Sequence, residues 1–251
     1  MKITILGSGT SIPHSRRAPP GFVVDLQETL ALVDPGAGSL HRMAQVGFQL
    51  DRLGWVLATH FHLDHTGDLA PLLFALRNSQ FDGAPPLTLV GPPGLVDHLR
   101  ALQRVYGDWV RLPPGRLRFE EVLQGEVALP GCRLQVFPVR HADPSIGMRF
   151  TGGDGRIFAY SGDTDYCPEL VELSREADLA LFEASFPGPL KVDGHLTPEL
   201  AGRAAREAGV RRLILTHLYP VCDEFDLLAE LRLSGYTGPS EIAFDGMRIE
   251  V

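Results

Sequence analysis

Side chains able to do chemistry crowd into one short run, Thr59-His60-Phe61-His62-Leu63-Asp64-His65. Four metal-capable residues fall within six positions, directly after the apolar stretch from Leu53 to Ala58. Such a pattern reads as a buried strand that ends in a loop crowded with imidazoles. His60 and His62 stand two apart, so in an extended segment they leave the backbone on the same side. Asp64 and His65 follow where the chain can turn. The run can therefore offer one pair of ligands to one ion and the next pair to a second ion close by. Imidazole nitrogen with carboxylate oxygen, and no thiolate, suits Zn²⁺, with Mn²⁺ or Fe²⁺ as alternatives.

One loop does not complete a site for two ions. Three more donors each follow an apolar strand-like stretch: His141 after Leu134–Val139, Asp163 after Ile157–Gly162 and His217 after Leu213–Thr216. Taken singly, each reads as a satisfied core or turn residue. Taken with the histidine run, they read as ligands converging from several strand ends. His195 is a further candidate, as a proton donor rather than a ligand. It precedes a helix beginning at Pro198, and Glu183 upstream offers a carboxylate to orient it.

The elements that must position these residues alternate along the chain. Strands are expected at 2–7, 21–26, 29–34, 53–58 and 86–91, with helices near 38–46, 67–77 and 92–105. From 116 onward short strands succeed one another at 117–122, 126–129, 132–139, 146–151 and 156–161, and Gly152-Gly153-Asp154-Gly155 marks a hairpin turn. Later strands fall at 178–183, 212–216, 241–244 and 247–250, and helices at 166–175, 198–208 and 223–233. The pattern predicts α/β architecture, with two mixed sheets covered by helices on the outside and residues 1–251 forming one domain.

Composition narrows the class. The 251 residues suffice for one sizeable core. No apolar run approaches the length of a membrane helix, and the N-terminus carries no signal-peptide pattern, so the expected compartment is the cytoplasm. Cys132, Cys167 and Cys222 lie far apart and predict buried, inert thiols rather than disulfides or a zinc knuckle. The net charge of −8 argues against a broad basic surface for nucleic acid. His14 reads as an exposed loop residue, and His41 and His98 as surface residues of helices. Arg16 and Arg17 read equally well as solvated or as partners for a substrate phosphate.

The series Thr-His-x-His-x-Asp-His, a lone His, Ser161-Gly162-Asp163-Thr164, and Thr216-His217 after a strand resembles the metallo-β-lactamase superfamily over nearly the whole chain. That resemblance implies an αβ/βα sandwich with a dinuclear site on its edge. It implies that His60, His62 and His141 hold one divalent ion, that Asp64, His65 and His217 hold the other, and that Asp163 bridges them. Leu6-Gly7-Ser8-Gly9-Thr10 with Pro13, and Tyr160 to Thr164, are similar to the ribonuclease Z and phosphodiesterase branch. Ala177–Phe186 and Gly194-His195-Leu196-Thr197 resemble two further segments of that branch. There the resemblance gives His195 the role of proton donor and Glu183 that of its orienting partner. Asp64, His195 and Glu183 thus form the expected catalytic set.

The departures bear on substrate. Of the N-terminal element that serves the tRNA end in ribonuclease Z, only Pro13 and Arg17 remain in Pro13–Ala18. The long protruding arm that grips tRNA has no counterpart around 140–165. The expected activity is hydrolysis of small or nucleotide-type phosphodiesters. tRNA 3′ processing is the alternative, and lactone or thioester hydrolysis a further one. A non-catalytic metal-binding or carrier protein on the same fold is the reading from a different class. No membrane partner is expected, and a homodimer is compatible with the chain.

Overall fold

The computed structural model describes all 251 residues. Its strands and helices follow in chain order as β1 (Lys2–Gly7), β2 (Gly21–Asp25), β3 (Leu30–Val33), α1 (Ser39–Gln45), β4 (Leu53–Leu57), α2 (Leu63–Thr66), α3 (Leu69–Ala75), β5 (Leu87–Gly91), α4 (Leu95–Tyr106) and β6 (Leu117–Glu121). The second half continues with β7 (Gly125–Leu129), β8 (Cys132–Pro138), β9 (Ile146–Gly152), β10 (Ile157–Tyr160), α5 (Pro168–Leu173), β11 (Leu179–Glu183), α6 (Pro198–Ala208), β12 (Leu213–Thr216), α7 (Leu227–Leu233), β13 (Ser240–Ile242) and β14 (Arg248–Glu250).

Two seven-stranded sheets result, in the orders β14-β1-β2-β3-β4-β5-β6 and β13-β12-β11-β10-β9-β8-β7. Both are mixed. The run β3 to β6 is parallel, as is β10 to β13, while the remaining neighbours pair antiparallel. Parallel strands need cover on both faces, and β3, β5, β11 and β12 are buried throughout. One apolar cluster fills the space between the sheets, joining Ile3, Ile5, Phe22 and Val24 to Leu134, Met148, Phe150 and Phe158. A second packs α5, α6 and α7 on the outer face of one sheet, and a third packs α1, α3 and α4 on the other. The architecture is the expected sandwich of two mixed sheets flanked by helices.

Local differences have physical causes. The helix expected at 67–77 is two: α2 takes in Asp64 and His65, and α3 begins at Leu69. α4 starts at Leu95, because Gly94 at φ 103° breaks the path from Pro92. The helix expected at 223–233 is a 3₁₀ turn at Pro220–Glu224 followed by α7, whose first turn is capped by the Asp226 carboxylate accepting from the Ala229 amide. β14 joins β1 rather than its sequence neighbour β13. No helix is long and apolar enough to cross a membrane.

Candidate metal centre

The histidine run, Asp163, Glu183 and His217 all stand at or just beyond the carboxyl ends of β4, β10, β11 and β12, where α/β sheets place their ligands. His141 joins them three residues after β8. Donor atoms of His60, His62, His141 and Asp163 lie within 4.8 Å of one another, as do those of Asp64, His65 and His217. Asp163 sits among both groups. Its carboxylate oxygens lie 3.3 Å from His65 Nε2, 3.5 Å from His217 Nε2, 3.8 Å from His141 Nε2 and 3.9 Å from His60 Nε2.

Backbone geometry permits this crowding. Gly162, at φ 59°, precedes Asp163, and a Cβ there would stand 2.9 Å from the Ile146 carbonyl oxygen and 3.0 Å from Thr59 Cβ. His217 itself adopts φ 56°, a conformation that costs a non-glycine residue about 1–3 kcal/mol. It is held there by the Leu218 amide donating to the Ser8 carbonyl at 3.0 Å.

Each imidazole but one has a fixed tautomer. His60 Nδ1 meets Thr59 Oγ1 at 3.0 Å, His65 Nδ1 donates to Asp34 at 2.9 Å, His141 Nδ1 to the Gly194 carbonyl at 2.9 Å, and His217 Nδ1 to Ser185 Oγ at 2.8 Å. In the neutral ring a proton on Nδ1 leaves the Nε2 lone pair free, and those Nε2 atoms face the carboxylate. His62 differs, with Nδ1 turned to His141 Nε2 at 3.1 Å. His60 Nε2 and Asp163 Oδ1 are buried with no hydrogen-bond partner. Orphaned donors of this kind, in an all-nitrogen and oxygen set, fit divalent ions such as zinc.

Electrostatics agree with the geometry. Burial alone would raise the Asp163 pKa, but the imidazoles of His217 and His65 more than reverse this and hold it well below the usual carboxylate range. Asp64 is likewise held low against burial, by His217 and His65. Burial lowers His60 and His141 and favours their neutral, ligating forms. His65 goes the other way: burial opposes its charge, but Asp163 and Asp34 raise it well above the ordinary value.

Two residues absent from the expected set support the site. Asp34, fully buried after β3, accepts from the Thr59 amide, the Thr59 hydroxyl, the Tyr160 hydroxyl and His65. An acid at the end of a buried strand was the pattern that singled out Asp163, and the same signal marks Asp34. Ser185 links three groups, donating to Glu183 Oε2 while facing His217 Nδ1 at 2.8 Å and His195 Nδ1 at 3.2 Å. Glu183 also binds His195 Nδ1 at 2.9 Å through Oε1. Burial would lower His195, but its hydrogen bond to Glu183 prevails and raises it.

Other expectations change. His98 is not a free surface residue: its ring stacks on Phe61 at 5.1 Å and its Nε2 is buried. His14, Arg16 and Arg17 all converge on Asp223, at 3.0, 2.5 and 2.5 Å, which offsets one of the two arginine charges. The three cysteines are free and buried. Between His141 and Asp163 the chain makes only β9, a tight turn and β10.

A fold of two mixed sheets with this donor set at its edge defines a metal-dependent hydrolase of the metallo-β-lactamase fold. The model for the beta-lactamase superfamily domain matches residues 29–218, and the chain belongs to that superfamily, within its ribonuclease Z-like branch. A ribonuclease Z from Mycobacterium marinum is 31% identical over 278 aligned positions, covering all of this chain and 99% of that protein. The metallo-beta-lactamase fold protein YhfI from Bacillus subtilis superposes with a TM-score of 0.86 at 25% identity, covering 100% of this chain and 99% of that one. The short form of human tRNase Z superposes at 0.78 with 24% identity, covering 100% and 99%, a likeness of fold.

Proposed function

We propose that this hydrolase cleaves phosphodiesters, with His60, His62 and His141 holding one divalent ion, Asp64, His65 and His217 the other, and Asp163 shared. Zinc suits these donors best. When bound, such ions supply a hydrolytic nucleophile near neutral pH and stabilise charge on phosphoryl oxygens. His195 acts as the general acid. The observation that carries this reading is its environment: Nδ1 is held by Glu183, the ring lies 4.8 Å from that of His141, and 12% of the side chain remains exposed at the rim. Nε2 is then free to protonate a leaving alkoxide, a task imidazole performs near neutral pH. A lactonase or thioesterase needs no such buried Glu–His pair. His195 also falls within 4.8 Å of Asp163 and His217 donors, but the Glu183 bond favours proton transfer over ligation.

The favoured substrate is a small or nucleotide-type diester. The net charge is −8, Arg16 and Arg17 share the single carboxylate of Asp223, and no arm extends between His141 and Asp163. Phe186 and Tyr219 stack at 4.3 Å beside His195 and offer an aromatic wall to a base. A second reading is 3′ processing of tRNA precursors. The name of a full-length relative at 31% identity weighs toward it more than toward the small substrate. Zinc-loaded protein is to be assayed against bis-p-nitrophenyl phosphate, a precursor tRNA, a lactone and a thioester. Diester turnover with slow tRNA cleavage is expected. Efficient, salt-sensitive tRNA cleavage would promote the second reading, and turnover of the lactone or thioester alone would refute both.

A further inference from the structure

His195 lies in a short connecting segment. Between the 3₁₀ turn Gly188–Leu190 and α6, Val192 and Asp193 are exposed. Besides the Gly194 carbonyl on His141 and the His195 ring on Glu183 and Ser185, two bonds tie this segment to the body of the site, and both end on one oxygen of Asp165. Lys191 Nζ donates to Asp165 Oδ2 at 2.7 Å, and the Gly194 amide donates to the same oxygen at 3.1 Å. Lys191 also reaches the Val192 carbonyl at 2.7 Å, which folds the segment onto itself. Asp165 is anchored in turn. Its amide donates to the Arg140 carbonyl at 2.7 Å, and its Oδ1 accepts from the Tyr166 amide at 2.8 Å.

The tied segment carries two groups that matter. Gly194 presents the carbonyl that fixes the His141 tautomer, and the next residue is His195. Gly194 has φ 85°, and a Cβ there would stand 3.2 Å from His141 Nδ1, so the backbone passes close against the Nδ1 edge of that ring. The pair is shielded, with Asp165 10% and Lys191 26% exposed, so it is screened less than an ion pair on open surface.

We propose that Asp165 and Lys191 are positioning residues that latch segment 191–195 over the site. The latch sets His195 at the leaving group and holds the Gly194 carbonyl on His141. Its catalytic part rests on the phosphodiesterase reading above.

The test compares zinc-loaded wild type, Lys191→Met and Lys191→Arg. Amide hydrogen exchange at Gly194 and His195 is measured beside turnover of aryl and alkyl phosphodiesters of graded leaving-group pKa. Lys191→Met is expected to speed exchange at both amides about tenfold or more as local opening becomes easier. It is expected to cut kcat about 10–100-fold for poor leaving groups, to change p-nitrophenolate release little, and to keep its zinc. Lys191→Arg, which retains the charge, should restore most of both. Unchanged exchange overturns the latch. Faster exchange with an equal loss on all leaving groups, or with none, overturns the positioning of His195. If wild type cleaves no diester, the phosphodiesterase reading fails, while the exchange comparison still decides the latch.

Discussion

Asp34→Asn is the sharpest probe of how the centre is held. The carboxylate accepts from the Thr59 amide at 2.8 Å, the Thr59 hydroxyl at 2.9 Å, the Tyr160 hydroxyl at 2.8 Å and His65 Nδ1 at 2.9 Å. All four donors come from groups that are themselves buried. An asparagine keeps one acceptor oxygen and replaces the other with an NH₂. With the oxygen retained toward the Thr59 amide, the NH₂ faces His65 Nδ1 and Tyr160. The tyrosine hydroxyl can rotate and accept. His65 must shed its Nδ1 proton and carry it on Nε2, the nitrogen that faces Asp163.

Two costs follow. One buried group left poorly satisfied destabilises the metal-free protein by about 1–3 kcal/mol. The wrong tautomer at a ligand weakens metal binding about 10–100-fold, the usual effect of losing such a supporting partner. Asp34→Ala is harsher. It strands the Thr59 amide, the Tyr160 hydroxyl and the His65 imidazole together, about 3–9 kcal/mol, comparable with the whole stability of a domain. Urea unfolding with a chelator present reads the first cost, and competition with a zinc-binding dye reads the second. Asp34→Asn that matches wild type in both its urea midpoint and its zinc affinity would refute the reasoning.

His195→Ala should lower turnover of poor-leaving-group diesters about 10²–10⁴-fold with metal content unchanged; loss of bound metal would reassign it as a ligand. Metal affinity should rise with pH through the raised pKa of His65, because the ion must displace its proton. The sign agrees with linkage: a raised folded pKa stabilises the metal-free protein below the unfolded value near 6.5 and loses that contribution as pH rises through the folded one. Calorimetric zinc titrations in buffers of differing ionisation enthalpy count the released proton, and zero release at neutral pH would be contrary. Arg17→Ala should destabilise the fold by about 1–3 kcal/mol, since its buried guanidinium serves Asp223, and a large rise in KM with unchanged urea stability would instead give it to the substrate.

What could be read in the chain was local. The run from His60 to His65 is contiguous, and His141, Asp163 and His217 each follow an apolar strand, so side-chain type and position sufficed to nominate them. The two-sheet sandwich followed from the alternation of strand and helix patterns. Its wiring did not, because nothing local in Arg248–Glu250 says that it pairs with Lys2–Thr4 across the whole chain. α2 escaped because four residues are too few to display a helical period. Asp165, Ser185 and Lys191 escaped because their partners lie 10 to 32 residues away and exist only after folding. His98 was misplaced because helical periodicity does not reveal the aromatic ring that covers it.

The centre and the sandwich stabilise each other. His60, His62, Asp64 and His65 follow a strand of one sheet, whereas His141, Asp163 and His217 follow strands of the other. Each of the two proposed ligand groups therefore draws on both sheets. Direct polar ties cross at the same edge: Tyr160 to Asp34, the Ile146 amide to the Thr59 carbonyl, and the Leu218 amide to the Ser8 carbonyl. Elsewhere the sheets meet through apolar packing, which is not directional and tolerates small slips. At this edge a slip would break hydrogen bonds that fix tautomers, so the register between the sheets and the aim of the lone pairs are set together. An ion held there as proposed would act as a staple between sheets as well as a reagent, and would stabilise the fold by mass action because the unfolded chain offers no such cage. The inward crowding of four imidazoles around Asp163 and the left-handed backbone of His217 are unfavourable in isolation, and the packing and hydrogen bonds of the sandwich hold them in place.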